Sequence, residues 1–225
     1  MPDTPPLRIG VLALQGDYDA HAAALHQASS ESGIPAATVL VRKPAQLADL
    51  DGLILPGGES TTFLKFLERD GFLADLQTFV AATPTFGTCA GTILLAKQVS
   101  DPPQPSLAVL DATVQRNAYG RQNDSSIEQT ATTLPGNHAE AGAEAGLRPE
   151  PFIEAVYIRA PRITRVGAGV TVLAEREGFP VLVEQGHLLA ATFHPELSAD
   201  RRVHAHFLRM VAAHLAAQPR STDAR

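Results

Sequence analysis

The sequence predicts an α/β fold, a three-layer sandwich in which helices cover both faces of a central, mostly parallel sheet. In the first half, short apolar runs typical of buried strands alternate with segments of helical character. Such alternation favours parallel strands joined by crossover helices. The chain has 225 residues, of which 44% are hydrophobic, enough for one well-filled core. We therefore expect a single domain over residues 1–225.

The first half carries the clearest alternation of strands and helices. Gln15-Gly16 ends the first apolar run, and Pro56-Gly57-Gly58 breaks the third. An alanine-rich composition indicates the first helix. The predicted elements are strands at 7–14, 38–41, 52–55 and 84–86, and helices at 18–28, from Ser60 onward, at 72–82 and at 91–96.

The second half is richer in strands and closes with one long amphipathic helix. Thr130–Pro149 has no hydrophobic period, so we expect a flexible insertion there. The polar ends, residues 1–6 and 218–225, are expected to be frayed. The predicted elements are strands at 108–115, 155–159, 171–175, 180–184 and 188–192, and a helix at 201–216.

Charge and composition exclude several classes of protein. A net charge of −6 without a basic stripe argues against nucleic-acid binding. No apolar run approaches the roughly 20 residues that cross a bilayer, and Met1–Pro6 lacks the pattern of a secretory signal. The single cysteine cannot form an internal disulfide, which fits a reducing compartment. We expect a cytoplasmic protein without membrane contact.

The strongest chemical signal is the run Gly87–Gly91 (GTCAG), which lies between a predicted strand and a predicted helix. It has the form of a nucleophile elbow, with Cys89 at the position of the nucleophile. The strained turn requires small flanking residues, and the following helix N-terminus favours the thiolate. The alternative is a buried structural cysteine, because free cysteines are among the most buried residues. The elbow favours the catalytic interpretation.

A cysteine nucleophile needs a base, and His194 follows a predicted strand directly. In an extended segment residues i and i+2 point to the same side, so Glu196 would accept a hydrogen bond from the His194 ring. The second ring nitrogen would then face Cys89. The other histidines fit this role less well because they lie on helices, in the insertion or at an exposed turn; they are His21, His26, His138, His187, His204, His206 and His214.

Amide hydrolysis also requires donors for a developing oxyanion. The backbone N–H of Ala90 is one, and Gly57 and Gly58 offer others at the carboxyl end of a predicted parallel strand, where α/β sheets build their sites. Cys89, His194 and a carboxylate could in principle ligate a metal, but paired ligand spacing is missing. The sequence also lacks a phosphate-binding glycine loop. We expect neither a metal nor a cofactor.

Taken together, these motifs resemble the class I (triad) glutamine amidotransferases, and within them the glutaminase subunits of pyridoxal 5'-phosphate synthase. The resemblance extends from end to end of the chain. It rests on Leu14-Gln15-Gly16, the run 53–62 (LILPGGESTT), the run 86–91 (FGTCAG), the run 116–122 (RNAYGRQ), Ile158-Arg159-Ala160-Pro161 and the run 193–197 (FHPEL). The chain departs from the family pattern at Ser126-Ile127-Glu128 and in the length of Thr130–Pro149.

The resemblance implies a catalytic triad of Cys89, His194 and Glu196 acting on L-glutamine. It further implies that the ammonia passes to the lyase subunit of the synthase in a hetero-oligomer. In that family the isolated glutaminase is silent and is activated by docking, partly through rearrangement of the oxyanion turn, which is expected here at Gly57-Gly58. The implied glutamine-binding residues are Gly58, Glu59, Ser60, Arg116, Ile158 and Arg159.

Three other functions stay open from the sequence. The chain could supply ammonia to another synthase, such as one in nucleotide or histidine biosynthesis. It could be a cysteine hydrolase of small amides or peptides, although Arg116 and Arg159 better suit an amino-acid carboxylate. It could also be a non-catalytic scaffold that binds the synthase, against which the intact set of Cys89, His194 and Glu196 argues.

Overall fold

A computed structural model describes residues 5–118, 125–135 and 151–218. Within these residues the strands are β1 (Leu7–Leu12), β2 (Ala36–Val41), β3 (Gly52–Leu55), β4 (Thr85–Thr88), β5 (Ala96–Ser100), β6 (Leu110–Gln115), β7 (Ser126–Ala131), β8 (Phe152–Tyr157), β9 (Arg162–Val166), β10 (Thr171–Arg176), β11 (Phe179–Gln185) and β12 (Leu188–Ala191). The α-helices are α1 (Tyr18–Ser32), α2 (Ser60–Leu67), α3 (Phe72–Val80), α4 (Ala90–Leu95) and α5 (Arg202–Ala217). None of these helices combines the length and apolarity needed to cross a bilayer.

The central sheet has seven strands in the order β10-β11-β12-β4-β3-β1-β2. The strands from β12 to β2 pair in parallel, whereas β10, β11 and β12 form an antiparallel meander at one edge. Strands β5, β6 and β9 form a second sheet, and β7 and β8 form a third. The predicted α/β fold with a mostly parallel central sheet is confirmed.

Residues of β3 alternate between two cores, one on either face of the sheet. Leu53 and Leu55 of β3 face a core closed by α2, α3 and α4. Ile54 faces the opposite core, which α1 and α5 close. Both faces of the strand are buried, so its sequence is continuously apolar. This arrangement gives the three layers and leaves the carboxyl ends of the parallel strands at one edge.

Three strands were not predicted, namely β5, β7 and β9. Their sequences are mostly polar, and each belongs to a small sheet with an exposed side, which weakens the hydrophobic alternation. The predicted insertion also begins inside β7, since Thr130 and Ala131 pair with β8. Leu134 is buried, while residues 136–149 of that predicted insertion lie outside the described part. Of the predicted frayed ends, residues 1–4 and 219–225 likewise lie outside it.

Candidate active site

Three neighbouring parallel strands end at the same edge of the sheet and deliver the predicted site residues there. Gly57 follows β3, Cys89 follows β4 and His194 follows β12. Leu55 pairs with Gly87, and Ala190 also pairs with Gly87, so the three strand ends are in register. The carboxyl edge of a parallel sheet is where such folds place ligands.

Cys89 occupies the strained turn that the elbow motif predicts. Its backbone has φ 47° and ψ −103°, a conformation that side chains rarely adopt. A Cβ on Gly91 would lie 2.0 Å from the Leu55 carbonyl oxygen, and one on Gly87 would lie 2.7 Å from the carbonyl carbon of Gly91. Close backbone packing therefore requires both glycines. Helix α4 begins at Ala90, so the sulfur lies at a helix N-terminus.

His194 and Glu196 are joined by a short hydrogen bond, with 2.7 Å between His194 Nδ1 and Glu196 Oε1. Each residue is only 4% exposed. The segment is not extended as expected, because Pro195–Leu197 forms a 3-10 turn that begins directly after His194. The tight turn, rather than extended alternation, brings the two side chains together.

The charge of His194 is set by its neighbours. Burial alone would lower the pKa of His194, but hydrogen bonds to Cys89 and Glu196 and the negative charges of both raise it to about 10. The imidazole is therefore protonated at neutral pH. Because Glu196 occupies Nδ1, Nε2 is the nitrogen left for Cys89. A protonated imidazole beside a cysteine stabilises the thiolate.

A cavity of about 210 Å³ opens beside Cys89 and His194. Its volume suits a molecule smaller than a drug-sized one. All six residues implied to bind glutamine contribute to its walls. The lining consists of Asp17, Gly58, Glu59, Ser60, Cys89, Ile93, Arg116, Asn117, Ile158, Arg159, Pro161 and His194.

The polar wall of the cavity is formed by Glu59 and Arg116. Arg116 Nη2 lies 3.5 Å from Glu59 Oε1. The Glu59 carboxylate also caps α2, accepting hydrogen bonds from the backbone N–H groups of Thr61 and Thr62 at 3.1 and 2.7 Å. Partial burial would raise the pKa of Glu59, but hydrogen bonds from these two threonines lower it to about 2. Glu59 is therefore anionic at neutral pH.

The Gln15 side chain makes two hydrogen bonds to the backbone of the turn after β3. The Gln15 side chain donates to the Glu59 carbonyl oxygen at 2.7 Å and accepts from the Glu59 N–H at 3.3 Å. Gly57 leaves no room for a side chain, because its Cβ would lie 2.4 Å from His194 Cε1. The sequence indicated Gln15 only as a motif residue. Its position shortly after β1, which pairs with β3, is the signal for a contact with the turn that follows β3.

Two histidines that the sequence did not place in the site lie behind the predicted triad: His21 contacts Glu196, and His204 contacts His21. His21 Nε2 lies 3.3 Å from Glu196 Oε2, and His21 Nδ1 lies 3.1 Å from His204 Nε2. One sequence signal could have indicated His21. The first turn of α1 follows β1, so it lies near the carboxyl edge of the sheet, where the other site residues are found. His187, expected to be exposed, is half-buried, with Nε2 2.9 Å from the Val80 carbonyl oxygen.

Among the described residues, ligand atoms of Asp17, His194 and Glu196 lie within 4.8 Å of one another. Three such groups could in principle hold a cation. However, His194 Nδ1 and Glu196 Oε1 already engage each other, and a protonated imidazole is a poor ligand because metals bind neutral histidine. The arrangement better suits a histidine and its orienting carboxylate.

Comparison with known proteins agrees with this geometry. Residues 11–213 match the SNO glutamine amidotransferase family. The chain is 53% identical over 205 residues to the pyridoxal 5'-phosphate synthase subunit PdxT of Koribacter versatilis, covering 91% of this chain and 96% of that protein. It is 49% identical to the PdxT of Solibacter usitatus, covering 89% and 97%. A crystal structure of a glutamine amidotransferase has a TM-score of 0.74 at 42% identity, covering 91% and 98%. The chain therefore belongs to the SNO glutamine amidotransferase family.

Proposed function

We propose that this chain is the glutaminase subunit of a pyridoxal 5'-phosphate synthase, hydrolysing L-glutamine to L-glutamate and ammonia. The names of the relatives support the pathway. The observation that carries the chemistry is the strained Cys89 beside a protonated, Glu196-bonded His194, both of which line one small cavity. The proposed reaction follows from these groups without a metal or cofactor.

In the first step, the Cys89 sulfur attacks the side-chain carbonyl carbon of glutamine. The developing oxyanion would be held by the N–H of Ala90 and by the turn at Gly57 and Gly58. His194 donates its proton from Nε2 to the departing nitrogen. The C–N bond breaks, ammonia leaves, and a γ-glutamyl thioester remains on Cys89.

In the second step, neutral His194 removes a proton from water, which attacks the thioester carbon. The C–S bond breaks, glutamate leaves, and the thiolate and imidazolium are restored. Glu196 accepts the Nδ1–H of His194 throughout, so the ring keeps one orientation and one tautomer.

Recognition of glutamine would use both charges of its amino-acid end. The guanidinium groups of Arg116 and Arg159 suit the α-carboxylate. Glu59 and Ser60 suit the α-ammonium group, and Ile158 offers an apolar contact to the side chain. Since Arg116 pairs with Glu59 here, binding would exchange that pair for contacts with the substrate.

The ammonia would pass to a synthase subunit, because nucleophilic ammonia is lost once water protonates it. The decisive experiment measures ammonia release from L-glutamine with and without the synthase subunit, with Cys89→Ala as the control. We expect turnover that rises sharply with the partner and disappears in Cys89→Ala. Turnover that needs Cys89 but ignores the partner would support the chemistry and contradict the pathway.

A further inference from the structure

His21, in the first turn of α1, contacts the oxygen of Glu196 that His194 does not use. His21 Nε2 lies 3.3 Å from Glu196 Oε2, and both side chains are fully buried. The same nitrogen lies 3.1 Å from Thr88 Oγ1, a hydroxyl one residue before Cys89. A single ring therefore contacts both the residue that orients His194 and the residue that precedes the nucleophile.

The surroundings of His21 select one tautomer. A proton on Nε2 faces the carboxylate of Glu196 and the hydroxyl of Thr88, whereas a lone pair there would repel the carboxylate. His21 Nδ1 must then accept a hydrogen bond, and His204 Nε2, 3.1 Å away, supplies it. The proton of His204 then sits on Nε2 and its Nδ1 carries a lone pair. In the opposite tautomers, the N–H at His204 Nδ1 would be buried without a partner among the described residues.

Both rings are neutral in this arrangement. Burial lowers the pKa of His21 well below its usual value, and any positive charge on the neighbouring His204 or His194 lowers it further. Burial and the charge of Arg201 lower the pKa of His204 to about 3. The charged groups that face the two rings are thus Glu196, His194 and Arg201. Among them only Glu196 attracts a proton toward His21, and it does so at Nε2.

Glu196 needs such a neighbour. One oxygen is fixed by His194, but the other has no aligned hydrogen bond within the described part of the chain. At 3.3 Å, the His21 N–H supplies the compensating positive dipole, while its better aligned bond is to Thr88. Without it, the buried carboxylate of Glu196 would be left partly unsatisfied, which favours its rotation away from His194.

We propose that His21 is a positioning residue of the glutaminase site: its Nε2–H braces Glu196 and Thr88, and His204 fixes its tautomer. The brace keeps the Glu196 carboxylate aimed at His194 Nδ1, and so sustains the imidazolium beside Cys89. This inference rests on the proposed function, because it assigns a role within that mechanism.

Alkylation by iodoacetamide tests the brace directly, because Cys89 is the only cysteine. In the wild-type chain the rate at about pH 6 should approach that at about pH 8.5, because the protonated His194 that is hydrogen-bonded to Cys89 favours the thiolate. In His21→Phe the rate at pH 6 should fall about tenfold, and kcat for glutamine in the complex by about 10- to 100-fold at unchanged KM. His21→Gln, which keeps a side-chain donor, should recover much of both. His26→Gln, at an exposed position on the same helix, should match the wild type.

The outcomes separate the two proposals. A wild-type rate that collapses at pH 6 would contradict the thiolate–imidazolium pair of the proposed function. A normal wild-type profile that His21→Phe leaves unchanged would overturn the brace alone. Should His21→Phe not fold, 15N NMR of the wild-type imidazoles decides the question. Neutral Nε2–H tautomers for both His21 and His204 are expected, and an Nδ1–H tautomer of His21 would contradict the proposal.

Discussion

The core-facing and cavity-facing sides of the His194 ring differ in how their polar groups are satisfied. Toward the core, Glu196 is 4% exposed, and His21 and His204 are fully buried. Toward the cavity, the Glu59 side chain is 46% exposed and pairs with Arg116 at 3.5 Å, while Gly58 and Arg159 are also exposed. The core-facing groups hydrogen-bond to one another in a fixed arrangement. The cavity-facing groups are exposed and can exchange their present partners for a ligand.

The difference indicates a division of work within the site. Groups that act on protons gain from a rigid, dry environment, because electrostatic interactions are stronger there and need no reorganisation. Groups that bind substrate must release their present partners first. A docking subunit can reach only the exposed side directly. We therefore expect the partner to act through the turn at Gly57-Gly58 and its neighbours, and not through the buried histidines.

The largest effect is expected from Gly57→Ala, which tests the rigidity of the core-facing side. The new Cβ would lie 2.4 Å from His194 Cε1 and 3.4 Å from the Cβ of Cys89. The His194 ring is hydrogen-bonded to Glu196 on its core-facing side, so it cannot move away from the new Cβ without breaking that hydrogen bond. We expect kcat in the complex to fall by about 100-fold or more, and alkylation of Cys89 at low pH to slow.

The matched control for this variant is Gly169→Ala. A Cβ at Gly169 meets nothing within 4 Å, so its activity should equal that of the wild type. Near-normal turnover in Gly57→Ala would show that the ring moves freely, and the contrast between a fixed and an open side would then fail.

Much of the fold could be predicted because the central strands are short, continuous apolar runs that can be recognised in the sequence without tertiary information. The run 52–55 is wholly apolar, and it is buried on both faces of the sheet. The strand β7 (SIEQTA) was missed because its burial alternates with one exposed side, where Ile127 is 69% exposed. Its polar residues are explained by tertiary contacts instead, such as the ion pair between Glu128 and Arg176 at 2.5 Å.

The site residues likewise fall into two groups, those that a local motif predicts and those that depend on tertiary contacts. Cys89, His194 and the turn at Gly57-Gly58 lie in short motifs whose steric requirements can be read locally, and the structure brings them together. His21 and His204 escaped prediction because their importance comes from a contact between residues 183 positions apart. Each looked like an ordinary helical histidine. A buried polar pair of this kind depends on how α1 packs against α5, which no local pattern specifies.

A smaller effect is expected from Arg116→Lys, which tests the open side. Lysine keeps the positive charge but loses the planar fork that can grip a carboxylate with two hydrogen bonds. We expect KM for glutamine to rise about tenfold, equivalent to about 1.4 kcal/mol, with kcat changed little. Arg165→Lys, at an exposed arginine paired with Asp111 at 3.1 Å, is the control. A loss confined to kcat would instead place Arg116 in the chemical step.

The last prediction concerns stability against pH rather than activity, and it tests whether the two buried histidines are neutral. In the unfolded chain His21 and His204 take up protons near the ordinary value of 6.5. In the folded chain burial keeps the pKa of His204 at about 3 and that of His21 well below 6.5. Their contribution is therefore fully present above pH 6.5 and is lost as the pH falls below it. His194, with its pKa raised to about 10, is charged in both states in that window and adds no slope there.

Urea unfolding between pH 6 and 4.5 should show the free energy of unfolding falling by up to about 1.4 kcal/mol per pH unit for each of the two rings. His204→Gln keeps a donor for His21 Nδ1 but removes one titrating ring, so its decline should be shallower by about that amount. His26→Gln, which removes an exposed histidine, should keep the wild-type decline. A decline that His204→Gln leaves unchanged would mean that His204 is not held neutral in the core. His204 would then be protonated in the folded chain despite its burial. It could not be assigned the neutral tautomer that donates to His21, and the proposed support of Glu196 by His21 would lose that hydrogen bond.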